Sequence, residues 1–126
     1  MKLNHFAVAS ISEEDSDTFF LKLLGFQKTR DFTVPAKLMN KFFEENKDQR
    51  IIRYEHGDVA AEVFITDGNS YRTDTFTHVC LEVENRNEIV SKGRELDIKV
   101  IQVPRENSEG YYLFLQDPFG NIYEIK

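Results

Sequence analysis

The stretch THVCLEVEN, residues 77–85, decides the fold, because it restarts a pattern that the chain has already used. LNHFAVAS, residues 3–10, alternates in the same way, and both stretches read as half-buried strands, the first over roughly residues 2–9. The same succession follows each of them. After the first, Ser12 or Ser10 is a candidate N-cap for a helix. Glu13, Glu14 and Asp15 place negative charge at its positive end, and Phe19, Phe20, Leu23 and Leu24 recur at helical spacing. Gly25 stops that helix, and residues 26–34 read as a strand. RIIRYEHG and VAAEVFITDG then form two more strands joined at His56, Gly57 and Asp58. After the restart, RNEIVSKGREL reads as a helix, DIKVIQVP as a strand, and GYYLFLQ and IYEIK as a hairpin around DPFGN.

The order is therefore strand, helix and three strands, twice over. This predicts an α+β fold of two βαβββ modules, about residues 1–68 and 75–126, within one domain. Gly25 and Asp97 both fall where a helix must turn into the next strand, and Asp tolerates the left-handed backbone that Gly supplies. The first module is longer by an amphipathic segment opened by Pro35, residues 35–46, whose Leu38, Met39, Phe42 and Phe43 share a face. That stripe reads as core packing before it reads as the wall of a site.

Bulk properties exclude several classes. With 126 residues, 40% hydrophobic and 30% charged, the chain is long enough for one self-sufficient core, and 11 Phe and 5 Tyr supply it generously. A formal charge of −6 without a Lys/Arg block argues against a nucleic-acid partner. One cysteine excludes an internal disulfide framework and a thiolate zinc site. No signal-peptide or membrane-span pattern is present, so the expectation is a cytoplasmic protein with a small-molecule substrate.

Strand alternation singles out four residues. Phe6 and Val8 leave His5 on the other face of the first strand, and Val79, Leu81 and Val83 leave His78 with Cys80. In the last strands of the two halves, Glu62 opposes Ala61 and Val63, and Glu124 opposes Tyr123 and Ile125. Each polar residue thus leaves the face that would pack on helices. Singly, each is more often a solvated or core residue; jointly, one His and one Glu per repeat form a set suited to one divalent ion. Two imidazoles and two carboxylates suit nickel, zinc, cobalt, iron or manganese and leave the ion Lewis acidic. Cys80 reads as a small buried residue and His56 as a solvent-facing turn residue. Parity leaves open whether Tyr111 or Tyr112 faces the site.

The NHFAV opening, the LLGF helix ending, the THVCLEV restart and above all YLFLQDPFGNIYEIK resemble the vicinal oxygen chelate superfamily, the glyoxalase, bleomycin-resistance and extradiol dioxygenase group, over the whole chain. The resemblance implies sheets forming a curved, barrel-like cavity around one divalent metal. The ligands it implies are His5, Glu62, His78 and Glu124, a set similar to that of bacterial-type glyoxalase I. It implies a lyase or isomerase of lactoylglutathione lyase type acting through an enediolate, with Glu124 as the base and Glu62 second. Dioxygenases and fosfomycin-resistance transferases of the family use two His and one Glu, and methylmalonyl-CoA epimerases commonly have Gln where Glu62 stands. Ala9 stands where glyoxalase I enzymes place an arginine for the glutathione carboxylate, with Arg30 and Arg53 as candidate substitutes. The alternatives are therefore a small-molecule sequestering protein or an epimerase, and a homodimer is expected in each case.

Overall fold

The computed structural model describes residues 1–69 and 71–126. Its contacts divide the chain into two units, Met1–Ser70 and Tyr71–Lys126. The first carries β1 (Phe6–Ser10), α1 (Glu13–Asp17), a π-helical turn (Thr18–Leu23), β2 (Gln27–Val34), α2 (Ala36–Phe43), β3 (Gln49–His56) and β4 (Val59–Ile65). The second carries β5 (His78–Leu81), α3 (Arg86–Glu95), β6 (Lys99–Pro104), β7 (Tyr111–Gln116) and β8 (Ile122–Ile125).

Each unit builds one mixed four-stranded sheet, in the order β1-β4-β3-β2 in the first and β5-β8-β7-β6 in the second. In both, the first strand pairs parallel with the last, and the remaining neighbours are antiparallel. The fold is α+β, two βαβββ modules as the repeat predicts, with α2 inserted in the first.

Alternation places the cores. In the first module Phe19, Phe20, Ile52, Tyr54, Ala61 and Val63 are buried. Phe20 stacks on Tyr54 at 5.1 Å and meets Phe19, Phe26 and Phe6 at 5.2, 5.6 and 6.4 Å. Lys28 and Arg50 tie β2 and β3 to α1 through Glu13, and Lys28 reaches Asp17 as well. The second core is mostly aliphatic: Leu81, Ile89, Val90, Leu113, Leu115 and Ile125 are buried along with Tyr123.

One alternative is resolved and three expectations are corrected. Ser12 is the cap, its hydroxyl accepting from the Asp15 amide at 3.1 Å, whereas the Ser10 hydroxyl donates to the Ser12 carbonyl. The first helix is α-helical for only five residues; the Leu24 amide then reaches back five positions to Phe19 at 3.1 Å, the wide spacing of a π turn. The second helix ends at Phe43 because Glu44 adopts the left-handed conformation at φ 58°, and only Met39 of its stripe is buried. Cys80 is exposed rather than buried. Gly25 and Asp97 do take positive φ, 71° and 56°, ending their helices as read. Among the described residues no helix is long and apolar enough to cross a membrane.

Candidate metal centre

The four singled-out residues meet as two pairs, one in each module. His5 lies one residue before β1, and its Nε2 stands 3.4 Å from Glu62 Oε2. His78 opens β5, and its Nε2 stands 3.6 Å from Glu124 Oε2. The register explains why. Glu62 sits opposite Ala7, two positions after His5, and Glu124 sits opposite Cys80, two positions after His78. A parallel first-to-last pairing thus brings each imidazole beside the carboxylate of its own module.

Both rings are fixed from behind. The Nδ1 of His5 is 2.9 Å from Asn4 Oδ1, and that of His78 is 2.8 Å from the Phe76 carbonyl. Each of these oxygens accepts, so a hydrogen on each Nδ1 satisfies it and turns the Nε2 of each ring toward a carboxylate oxygen. Two acceptors facing one another repel unless a cation stands between them, either a proton making an imidazolium or a metal ion.

The spacing suits the second. Bonds of about 2.1 Å subtending about 90–110° put two donor atoms about 3.0–3.4 Å apart, close to what both pairs present. All four side chains keep some exposure, from 18% for Glu62 to 39% for His78, so the donors are reachable from solvent. Among the described residues no group of three or more His, Cys, Asp or Glu side chains converges to hold a metal.

What surrounds the two carboxylates differs. Glu62 Oε1 accepts from Arg53 Nη1 at 3.1 Å, and Arg53 Nε donates to Glu55 at 2.7 Å. The Glu55 hydrogen bond, outweighing partial burial and joined by Glu62, raises the Arg53 pKa. Arg30 lies opposite Arg53, exposed and stacked over Phe32 at 4.3 Å. Lys2, Asn4, Arg53, Glu55 and residues 57–60 line a polar cleft of about 270 Å³. Farther along the sheet, Ala9 lies opposite Phe64, whose ring meets Phe43 of α2 edge-on at 5.7 Å. The inserted helix therefore reaches the Glu62 face of the sheet.

Glu124 lies opposite Phe114, whose ring meets His78 edge-on at 5.9 Å. Partial burial pushes the Glu124 pKa up, but Lys126 and a hydrogen bond from Cys80 outweigh it, so the group is lowered and anionic. Burial first, and Glu124 second, push the Cys80 thiol up, which disfavours a thiolate nucleophile. Tyr112 shares the Glu124 face, two residues from Phe114, whereas Tyr111 donates to Asn87 of α3 at 2.7 Å.

The DPFGN turn is pinned by its aspartate. Asp117 accepts from the Gly120 and Asn121 amides at 3.0 and 2.9 Å, from the Asn121 side chain at 2.8 Å and from the Tyr123 hydroxyl at 3.2 Å. Gly120, at φ 99°, makes the turn that a side chain would strain.

Sequence reasoning singled out the four side chains that pair here and missed what holds three of them. Asn4 is adjacent to His5, a signal that was present. Arg53 is offered by the sequence only as a substitute for the arginine absent at Ala9, since Ile51 and Ile52 leave the parity of β3 ambiguous.

A glyoxalase family protein from Enterococcus faecalis is similar in structure, with a TM-score of 0.74 at 20% identity, covering 98% of this chain and 95% of that one. The trypanothione-dependent glyoxalase I of Leishmania major gives 0.73 at 21%, with 99% and 85% covered. A fosfomycin resistance protein from Listeria monocytogenes, solved with manganese(II) and a dihydroxypropylphosphonic acid, gives 0.70 at 13%, with 98% and 86% covered. At these identities the likeness is one of fold. A search of curated proteins returns no significant match. The family model described as Glyoxalase/Bleomycin resistance protein/Dioxygenase superfamily matches residues 2–125, so the chain belongs to that superfamily.

Proposed function

We propose that the protein is a divalent-metal-dependent lyase or isomerase of glyoxalase I type, acting on a small substrate that offers two neighbouring oxygens. One observation carries this reading. In both modules a histidine with its Nδ1 engaged faces a carboxylate at metal-ligand spacing, at the same step of the same parallel pairing. His5, Glu62, His78 and Glu124 are the donors, and residues 1–126 act as one domain of two modules, about 1–68 and 75–126.

A nickel, zinc, cobalt, iron or manganese ion bound there would supply a Lewis acid for negative charge developing next to a carbonyl. The chain's own groups do the rest. Glu124, anionic and without an arginine partner, takes the proton from the carbon beside the carbonyl and returns it to the neighbouring carbon. Asn4 and the Phe76 carbonyl keep both imidazoles in the tautomer that binds through Nε2. Two copies of the chain associate in this reading.

Titration calorimetry with nickel(II) or zinc(II) tests it. About one ion per chain is expected, with affinity falling at least tenfold in His5→Ala and in His78→Ala. Proton exchange from solvent into hemithioacetals of 2-oxoaldehydes, and into thioesters for an epimerase, then identifies the substrate. No ion bound by the wild-type protein would leave the second reading, a small-molecule sequestering protein. That reading is favoured by the lack of any group of three ligand side chains among the described residues.

A further inference from the structure

The two carboxylates occupy equivalent register positions, and the strand beside each one treats it differently. On β3, Arg53 lies opposite Glu62 and donates Nη1 to its Oε1 at 3.1 Å, leaving Oε2 turned toward His5. On β7, the equivalent position opposite Glu124 is Phe114, which offers no donor. One step farther out, Arg30 opposite Arg53 corresponds to Ile101 opposite Phe114. The cation beside Glu124 is Lys126, 3.4 Å away and one residue past the end of β8, with its side chain 65% exposed.

Arg53 is itself held. Its Nε donates to Glu55 Oε1 at 2.7 Å, and its side chain is 18% exposed. A planar guanidinium anchored at Nε has one direction left for its Nη1, and that direction is Glu62. Arg53 and Asn4, which holds the other member of the pair, also line the same polar cleft.

We infer that Arg53 is a positioning residue: it restrains Glu62 through one oxygen so that the other serves as a fixed metal donor, and the freedom to leave the ion and carry protons falls to Glu124. This rests on the reading of His5 and Glu62 as ligands. Arg53 acts through Glu62 Oε1, so loss of the guanidinium weakens metal binding before it touches chemistry.

Nickel(II) calorimetry on the full chain tests this, comparing the wild type with Arg53→Met, Arg53→Lys and Arg50→Met. Arg50 sits on the same strand but pairs with Glu13 and Asp31. The expected result is a loss of about 10–100-fold in affinity for Arg53→Met. Arg53→Lys keeps the charge without the fork and is expected to lose about 3–10-fold, and Arg50→Met should stay within about twofold of the wild type. Should Arg53→Met fold poorly, judged by thermal melting without metal, Arg53→Lys decides alone. Unchanged affinity in the Arg53 variants overturns the inference, and tighter binding overturns it by making Arg53 a competitor for Glu62. A wild-type protein that binds no nickel removes the metal reading itself, and this inference with it.

Discussion

Two rows of side chains run across equivalent positions of the two sheets: Ala7, Glu62, Arg53 and Arg30 in the first module, and Cys80, Glu124, Phe114 and Ile101 in the second. The first row is charged beyond its carboxylate and the second is apolar. A repeated backbone can therefore deliver the same carboxylate twice and leave its freedom to whatever side chain the neighbouring strand supplies. The cores diverge as well, one built around stacked aromatic rings and ion pairs to α1, the other around aliphatic side chains.

The largest test of that difference is in the cores. Phe20→Ala removes the ring on which Phe6, Phe19, Phe26 and Tyr54 converge and is expected to cost about 3–5 kcal/mol in denaturant unfolding. Leu113→Ala in the second module is expected to cost about 2–5 kcal/mol. A clearly larger loss for Leu113 would break the contrast.

The buried tyrosines give a smaller test. Tyr54 donates to Asp17 at 2.7 Å and shares a hydrogen with Ser16 at 2.8 Å, so Tyr54→Phe removes two hydrogen bonds and is expected to cost about 1–3 kcal/mol. Tyr123→Phe leaves Asp117 with three other hydrogen bonds, and about 1 kcal/mol is expected.

Acid should separate the modules more gently. Hydrogen bonds from Lys28 and Arg50 lower the Glu13 pKa, and one from Arg50 lowers that of Asp31, so their contribution is present above the ordinary carboxylate range and fades as pH falls through the folded values. Asp117 runs the other way: burial raises its pKa, so the folded state takes up its proton first and gains stability from this group as pH falls. Asp74, at about 2 against 3.8 through hydrogen bonds from Thr77 and Phe76, holds its loop until lower pH still. Amide exchange followed by mass spectrometry from pH 5 downward should therefore show α1 and β2 losing protection before the DPFGN turn. The reverse order would overturn the assignment of charge to the first module and burial to the second.

The repeat and the alternation within each strand were enough to read the fold, the faces of Glu62 and Glu124, and the reversals at Gly25 and Asp97. What escaped depended on contacts between strands. Ile51 and Ile52 bury opposite faces of β3, so nothing in QRIIRYEH says that Arg53 rather than Arg50 meets Glu62. Phe19, Phe20, Leu23 and Leu24 satisfy α-helical spacing, yet the backbone widens into a π turn. Both adjacent phenylalanines are buried there, each only 1% exposed. The stripe of α2 suggested burial, but Phe42 and Phe43 remain exposed while Phe43 rests its edge on Phe64.

The parallel pairing of first and last strands also sets an order of assembly. Phe6 must find Ala61, and His78 must find Ile122, across almost the whole of their modules, whereas the β3–β4 and β7–β8 hairpins close locally. Long-range closures are slow because chain entropy is lost before contacts repay it. Each histidine therefore meets its glutamate only in the step that completes its sheet, and a probe of that pairing would time the end of folding rather than its beginning.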